Sequence, residues 1–381
     1  MPCSFGRRHV VLSTFVSYKL IARDIPKAID RIERQPTVDR ETKYYLENIG
    51  KVSSIDEFVK DDRLFKYAMK AFGLQDMSYA RAFMVKALKE GVTDPDSFAN
   101  KLTDKRYAEF VSTFNFAKHG DAAMIYNKAQ QATTGNYAIQ ASIDSVDPEI
   151  VQAETDYYMS KIADVKSIDD LFADARLYDY ALRAYALDPE TESPETIRKV
   201  LEGGASDPAS FANTMEDKRY AALASAFDFA GLGEKATTWV PTQENVVDKY
   251  LRQTLEEDAG NSNEGVRLAL YFQRKADDIT DWYQVLADKA LASVVRTAFG
   301  LPESFAKADI DRQVKLFESR MNIEDFANPA KLEKFLTRFT SLHDAANPST
   351  AVSAASILFA QPAAIGVSTD LLMAMQQLKS R

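Results

Sequence analysis

Apolar residues return along this chain with the spacing of one helix face. From Asp61 they fall at Leu64, Phe65, Ala68, Ala71 and Phe72; further on they fall at Leu177, Tyr178, Ala181, Ala184 and Tyr185. After Asp104 the stripe is Tyr107, Phe110, Val111 and Phe114, and after Asp217 it is Tyr220, Leu223, Ala224 and Phe227. Recurrence at three, four and seven residues buries one side of an α-helix, whereas a half-buried strand alternates every second residue. No segment sustains such alternation, and Val, Ile and Thr do not cluster. The pattern predicts an all-α chain.

Polar residues punctuate it. Asp94-Pro95 and Asp207-Pro208 read as a capping carboxylate before a proline at the first helical position, where the missing N–H is no loss. Ser193-Pro194-Glu195 follows the same logic. Ser54-Ile55-Asp56-Glu57 has capping-box spacing, with Asp170 in the glutamate's place further on. Gly91 and Gly204 read as helix stops.

These punctuation marks recur. Glu41-Thr42-Lys43-Tyr44-Tyr45 returns as Glu154-Thr155-Asp156-Tyr157-Tyr158, Asp94-Pro95-Asp96-Ser97-Phe98-Ala99-Asn100 as Asp207-Pro208-Ala209-Ser210-Phe211-Ala212-Asn213, and Asp104-Lys105-Arg106-Tyr107-Ala108 as Asp217-Lys218-Arg219-Tyr220-Ala221. Every pair is offset by 113 without a gap, and 34 of the 77 positions in 41–117 are identical in 154–230. A period this long exceeds a solenoid unit and suits a small multi-helix unit. A degenerate third copy is expected over 266–343. There Tyr271-Phe272 stands for the tyrosine pair, Val285-Leu286-Ala287-Asp288 for Leu171-Phe172-Ala173-Asp174, and Phe326-Ala327-Asn328 for Phe98-Ala99-Asn100. Leu332-Glu333-Lys334-Phe335 replaces Asp-Lys-Arg-Tyr.

The expected organisation is therefore an N-terminal helical extension (1–40), unit one (41–117), a linker with helix (118–153), unit two (154–230), a second such linker (231–265), the degenerate unit (266–343) and a C-terminal segment (344–381). Helical spacing persists in the connections, at Tyr18, Ile21, Ala22 and Ile25 and at Val246, Val247, Tyr250 and Leu251. The tail carries Leu371, Leu372, Met375 and Leu378 on one face, with Gln376, Gln377, Lys379 and Arg381 opposite. Such a stripe either packs on the body or docks on a partner as a helix in a groove, and these four residues are the candidate partner surface.

Composition narrows the chemistry. In 381 residues there are one cysteine, three histidines and a formal charge of −9. Cys3 alone forms neither an internal disulfide nor a thiolate metal site. His9, His119 and His343 lie far apart and lack metal-ligand spacing. A net acidic chain is a poor nucleic-acid binder. No Gly-rich phosphate loop or nucleophile elbow is present. The runs Asp61-Asp62, Glu256-Glu257-Asp258 and Asp277-Asp278 lack calcium-loop spacing. In Asp-Lys-Arg-Tyr the aspartate reads as a cap, the tyrosine as inward, and Lys105 and Arg106 as the polar face. No catalytic, cofactor or metal residues are assigned. Arg7 and Arg8 precede only a short apolar stretch, Val10–Val16, broken by Ser13 and Thr14, which falls short of a secretory signal. The patterned sequence begins near Val11, so residues 1–10 suit an upstream start as well as the true one. The run Ala351–Val367 contains Gln361 and Pro362 and falls short of a membrane span.

The Glu-Thr-x-Tyr-Tyr, Asp-Pro-x-Ser-Phe-Ala-Asn and Asp-x-Arg-Tyr motifs, with the closing Gly366-Val367-Ser368-Thr369-Asp370-Leu371-Leu372, resemble a bacterial, mainly alphaproteobacterial, domain family of unknown function. The resemblance runs from about Val11 to Leu378. It implies more than one unit per chain and genes within flagellar clusters, with some members labelled flagellar proteins; it implies no catalytic residues. The expectation is a non-enzymatic helical structural or assembly-support protein of the flagellum, with protein partners, placed in the cytoplasm or at the flagellum. The alternative is a helical-repeat interaction scaffold unrelated to flagella.

Overall fold

The computed structural model describes residues 13–347, and every regular element among them is helical, as the stripes predict. They form two compact units, residues 25–258 and residues 13–24 with 259–347. Helix α1 (Thr14–Ala22) belongs to the latter.

The larger unit begins with α2 (Ile25–Glu33), α3 (Pro36–Ile49), α4 (Ile55–Lys60), α5 (Asp62–Ala71), α6 (Arg81–Glu90), α7 (Phe98–Lys101), α8 (Arg106–Thr113) and α9 (Phe116–His119). The α5 stripe is buried throughout, from Leu64 to Phe72. Ser54 accepts the Glu57 N–H, and the Glu57 carboxylate accepts the N–H of Ser53, a variant of the reciprocal cap. Asp61 caps α5 by accepting from Arg63 and Leu64. The helix stops where Gly73 takes a φ of 66° and Leu74 N–H returns to the Met69 carbonyl at 2.8 Å.

Helix α10 (Thr133–Ile143) follows, and residues 113 further on repeat α3 to α9 in α11 (Pro148–Lys161), α12 (Ile168–Ala173), α13 (Ala175–Ala184), α14 (Pro194–Gly203), α15 (Phe211–Thr214), α16 (Lys218–Ala226) and α17 (Phe229–Leu232); α18 (Val246–Ser262) begins 113 residues after α10. Asp174 caps α13 as Asp61 caps α5, and Leu187 N–H returns to Leu182 at 3.0 Å.

One expectation is corrected. Asp94-Pro95 and Asp207-Pro208 begin turns, and the helices start later, at Phe98 and Phe211. Asp94 accepts from the Asp96 N–H at 2.8 Å, and Ser97 N–H closes on the Asp94 carbonyl at 3.0 Å. Asn100 then donates to the carbonyls of Val92 and Asp94 and pins the turn. An aspartate before proline serves an Asx turn as readily as a helix cap. Gly91 and Gly204 do end their helices, at φ 71° and 62°.

The connections cross over. The segment before α10 runs onto residues 154–230, and the segment before α18 runs onto residues 41–117. Tyr158 donates to the Ala129 carbonyl, and Tyr45 donates to that of Thr242, 113 residues beyond Ala129. Gln130 Nε2 reaches the Thr237 carbonyl at 2.8 Å, while Gln243 Nε2 reaches that of Met124 at 3.2 Å. Each exchange ends in three stacked tyrosines. Tyr45, Tyr67 and Tyr250 lie at centroid spacings of 4.4 and 3.7 Å; Tyr158, Tyr180 and Tyr137 lie at 4.3 and 3.8 Å.

The smaller unit packs α1 with α19 (Glu264–Lys275), α20 (Trp282–Ala287), α21 (Lys289–Ala298), α22 (Ile310–Glu318) and α23 (Pro329–Ala346). Its core is aromatic: Phe272 meets Phe326 and Phe335, and Trp282 meets Phe317. Gly265 lets α19 approach α1 and α23, since a Cβ there would lie 2.5 Å from His343 Nδ1 and 2.8 Å from Thr14 Cγ2. The expected match of Phe326-Ala327-Asn328 to Phe98-Ala99-Asn100 is not kept. Asn328 accepts the N–H groups of Ala330 and Lys331 as the cap of α23, where Asn100 donates from its amide.

Candidate functional site

The recurring polar residues are spent on the scaffold. Arg106 forks onto Asp104, with Nη2 to Oδ2 at 2.7 Å, and its Nη1 donates to the Gly73 carbonyl at the end of α5. Arg219 forks onto Asp217 and donates to the Ala186 carbonyl at the end of α13. The polar-face arginine expected from the sequence is thus a clamp between two helix ends. The bond to Arg219 holds the Asp217 carboxyl below its ordinary pKa. Tyr220 donates to Glu192 at 2.7 Å, and burial with that carboxylate pushes its hydroxyl up to about 12.

The first tyrosine of each pair behaves alike. Tyr44 donates to Asp61, Tyr157 to Asp174 and Tyr271 to Asp288, always 17 residues on and always to the carboxylate that caps the next helix but one. Arg63 lies 3.6 Å over the Tyr44 ring and Arg176 lies 3.9 Å over that of Tyr157. Each arginine also meets a glutamate, Glu41 of α3 or Glu154 of α11. The acidic runs are paired too: Glu256 with Arg252, Glu257 with Lys70, Asp278 with Lys275. Among the described residues no three His, Cys, Asp or Glu side chains converge as a metal would require. His119 stacks on Tyr126, and burial lowers its pKa.

Two clefts remain. One of about 370 Å³ lies between α20 and α22, walled by Trp282, Tyr283, Val314, Glu318 and Ile323. The other, of about 460 Å³, lies beside the second tyrosine stack, walled by Tyr137, Ile150, Glu154, Tyr180 and Arg183. Away from that lining, Ile139 and Ile143 of α10 are 60% and 69% exposed. Sequence reading treated 118–153 as a connection and passed over this surface. The signal was there in Ile139 and Ile143, one turn apart, but nothing in the spacing says which face of α10 is free. The candidate partner residues Leu371, Leu372, Met375 and Leu378 lie outside the described residues.

Fold and surface define an all-α protein whose recurring charged side chains close its own helix ends. The chain belongs to the family described as protein of unknown function (DUF1217), which matches residues 71–182 and 184–332. It is similar to a protein from Agrobacterium tumefaciens solved by crystallography, at 33% identity over 91% of this chain and 100% of that one, with a TM-score of 0.54. Comparison with curated proteins gives no match. No helix among the described residues is long and apolar enough to cross a membrane.

Proposed function

We propose that the protein is a non-enzymatic helical component that supports assembly or function of the bacterial flagellum by holding other proteins. The observation that carries this reading is the use made of the recurring polar residues. Asp61, Asp174 and Asp288, and the Asp104–Arg106 and Asp217–Arg219 pairs, bond to helix ends, and clefts are left beside a packed frame. The flagellar context comes from the family resemblance of the motifs. The 17-residue tyrosine-to-aspartate bond at three places supports descent of 41–117, 154–230 and 266–343 from one unit.

Deletion of the gene tests the reading. The expected result is a smaller swimming zone in soft agar with fewer or shorter filaments, restored by the intact gene. Normal swimming with normal filaments overturns the flagellar role, and a purified complex free of flagellar components then favours a scaffold elsewhere in the cell.

A further inference from the structure

The segments 41–117, 154–230 and 266–343 differ at the start of one helix. Residues 54–56 and 167–169 both read Ser-Ile-Asp, and the serine caps α4 or α12. At the matching place, 281–283, the chain reads Asp-Trp-Tyr. Asp281 keeps the capping bond and accepts the Gln284 N–H at 2.9 Å. The two side chains that follow are what changes: an isoleucine and a carboxylate give way to two large rings.

The change falls on a helix pair that an arginine bridges in the other two segments. Arg81 of α6 donates to the Val59 carbonyl of α4 at 2.9 Å and also to Asp62. Arg198 of α14 meets Asp169 of α12 at 2.8 Å and lies 4.8 Å over the Phe172 ring. No cation does this between α20 and α22. Helix α20 carries no charged residue, Tyr283 donates to Asp311 at 3.0 Å, and the interval beside them is the cleft of about 370 Å³. Asp281 and Glu318 line it without any lysine or arginine, and neither has an ion-pair partner among the described residues. Arg312, which follows Arg198 by the same 114 residues as Asp288 follows Asp174, is not in the lining. The hydrogen bond to Asp311 raises the Tyr283 pKa, and the charges of Glu318 and Asp281 add to the rise. Trp282 supplies a group of the opposite kind. It lines the cleft at 4% exposure, and its indole N–H has no acceptor among the described residues, although a buried indole ordinarily finds one.

We propose that this cleft of the smaller unit binds an arginine side chain of a partner protein, together with the stretch of peptide that carries it. The guanidinium stands between Asp281 and Glu318 and over the Tyr283 ring, as Arg198 stands on Asp169 and over Phe172. The Trp282 indole N–H donates to a backbone carbonyl of the same peptide, and Val314 and Ile323 receive its apolar neighbours. A planar guanidinium suits carboxylates set beside aromatic faces better than a compact ammonium does. The volume lies at the small end of the range of about 300–1,000 Å³ for ligand clefts, which suits one long side chain and its peptide. The inference names the chemistry of one partner for a protein that holds other proteins, and it rests on that reading.

The test uses the full chain, labelled at tryptophan with heavy nitrogen for magnetic resonance. Its two tryptophans give two indole signals, and Trp239→Phe identifies that of Trp282. The probe is the peptide acetyl-Gly-Leu-Arg-Leu-Gly-amide. A saturable shift of the Trp282 signal is expected. Affinity should fall at least fivefold with Glu318→Gln, with Asp281→Asn, and for the peptide carrying citrulline in place of arginine. Asparagine still caps a helix and Glu318 is exposed, so unchanged circular dichroism will show both variants folded. An unmoved Trp282 signal, or equal affinity across variants and peptides, overturns the proposal. Agmatine binding as tightly as the peptide also overturns it, because the cleft then holds a free guanidine compound and not a partner's segment. Swimming of the deletion strain decides the flagellar reading by itself, so that reading and this site fail separately.

Discussion

Ala186 shows at a single residue how closely the second segment follows the first. It ends α13 with φ at 56°, where Gly73 ends α5 and Gly300 ends α21, both at 66°. A Cβ in the left-handed region is strained, so alanine costs stability that glycine does not. Ala186→Gly is expected to stabilise the larger unit by about 0.5–1 kcal/mol, read from the urea midpoint, and Gly73→Ala to destabilise it by about 1 kcal/mol or more. The second change also sets a new Cβ 3.3 Å from the Arg106 guanidinium. A destabilised Ala186→Gly would show that the loop, not the residue, sets this backbone.

Among elements, α1, α19 and α23 meet at a point that admits no side chain on Gly265. His343 on α23 is packed there with its Nδ1 buried and unpartnered, and burial lowers its pKa despite the nearby carboxylates of Asp344 and Glu264. A folded state that binds the proton less readily than the unfolded one keeps its full stability above the ordinary histidine range and loses it as pH falls through that range. His343→Leu is therefore expected to melt a few degrees above the wild type at pH 5.5, with a smaller gap at pH 7.5. A gap that does not change with pH sinks the assignment. Much at this scale was legible beforehand. The α5 and α13 stripes, the Ser54 and Asp217 caps and the Gly91 stop follow from local rules that involve only a few neighbours. Three features were not legible. Asp-Pro serves two turn geometries equally, the guanidinium of Arg106 reaches a carbonyl 33 residues back, and the spacing along α10 does not say which of its faces is free.

At the scale of the whole molecule, the crossed connections make residues 41–117 and 154–230 mutually dependent. Tyr45 depends on Thr242, and Tyr158 depends on Ala129. A tobacco etch virus protease site placed after the exposed Gly120 should therefore be cut without separating the larger unit. The two pieces are expected to elute as one peak in gel filtration and to part only in denaturant. Separation under native conditions would show that the crossing does not hold the segments together. Sequence periodicity was silent on this crossing, because two segments with matching stripes can each accept the other's partner helix. The crossing also imposes an order on synthesis at the ribosome. Residues 124–230 are contiguous and close their tyrosine stack as they emerge, but the stack at Tyr45 and Tyr67 waits for Tyr250. At about 5–20 residues per second, the first segment spends roughly seven to thirty seconds with its aromatic face uncovered, and the nascent chain needs a chaperone most during that interval.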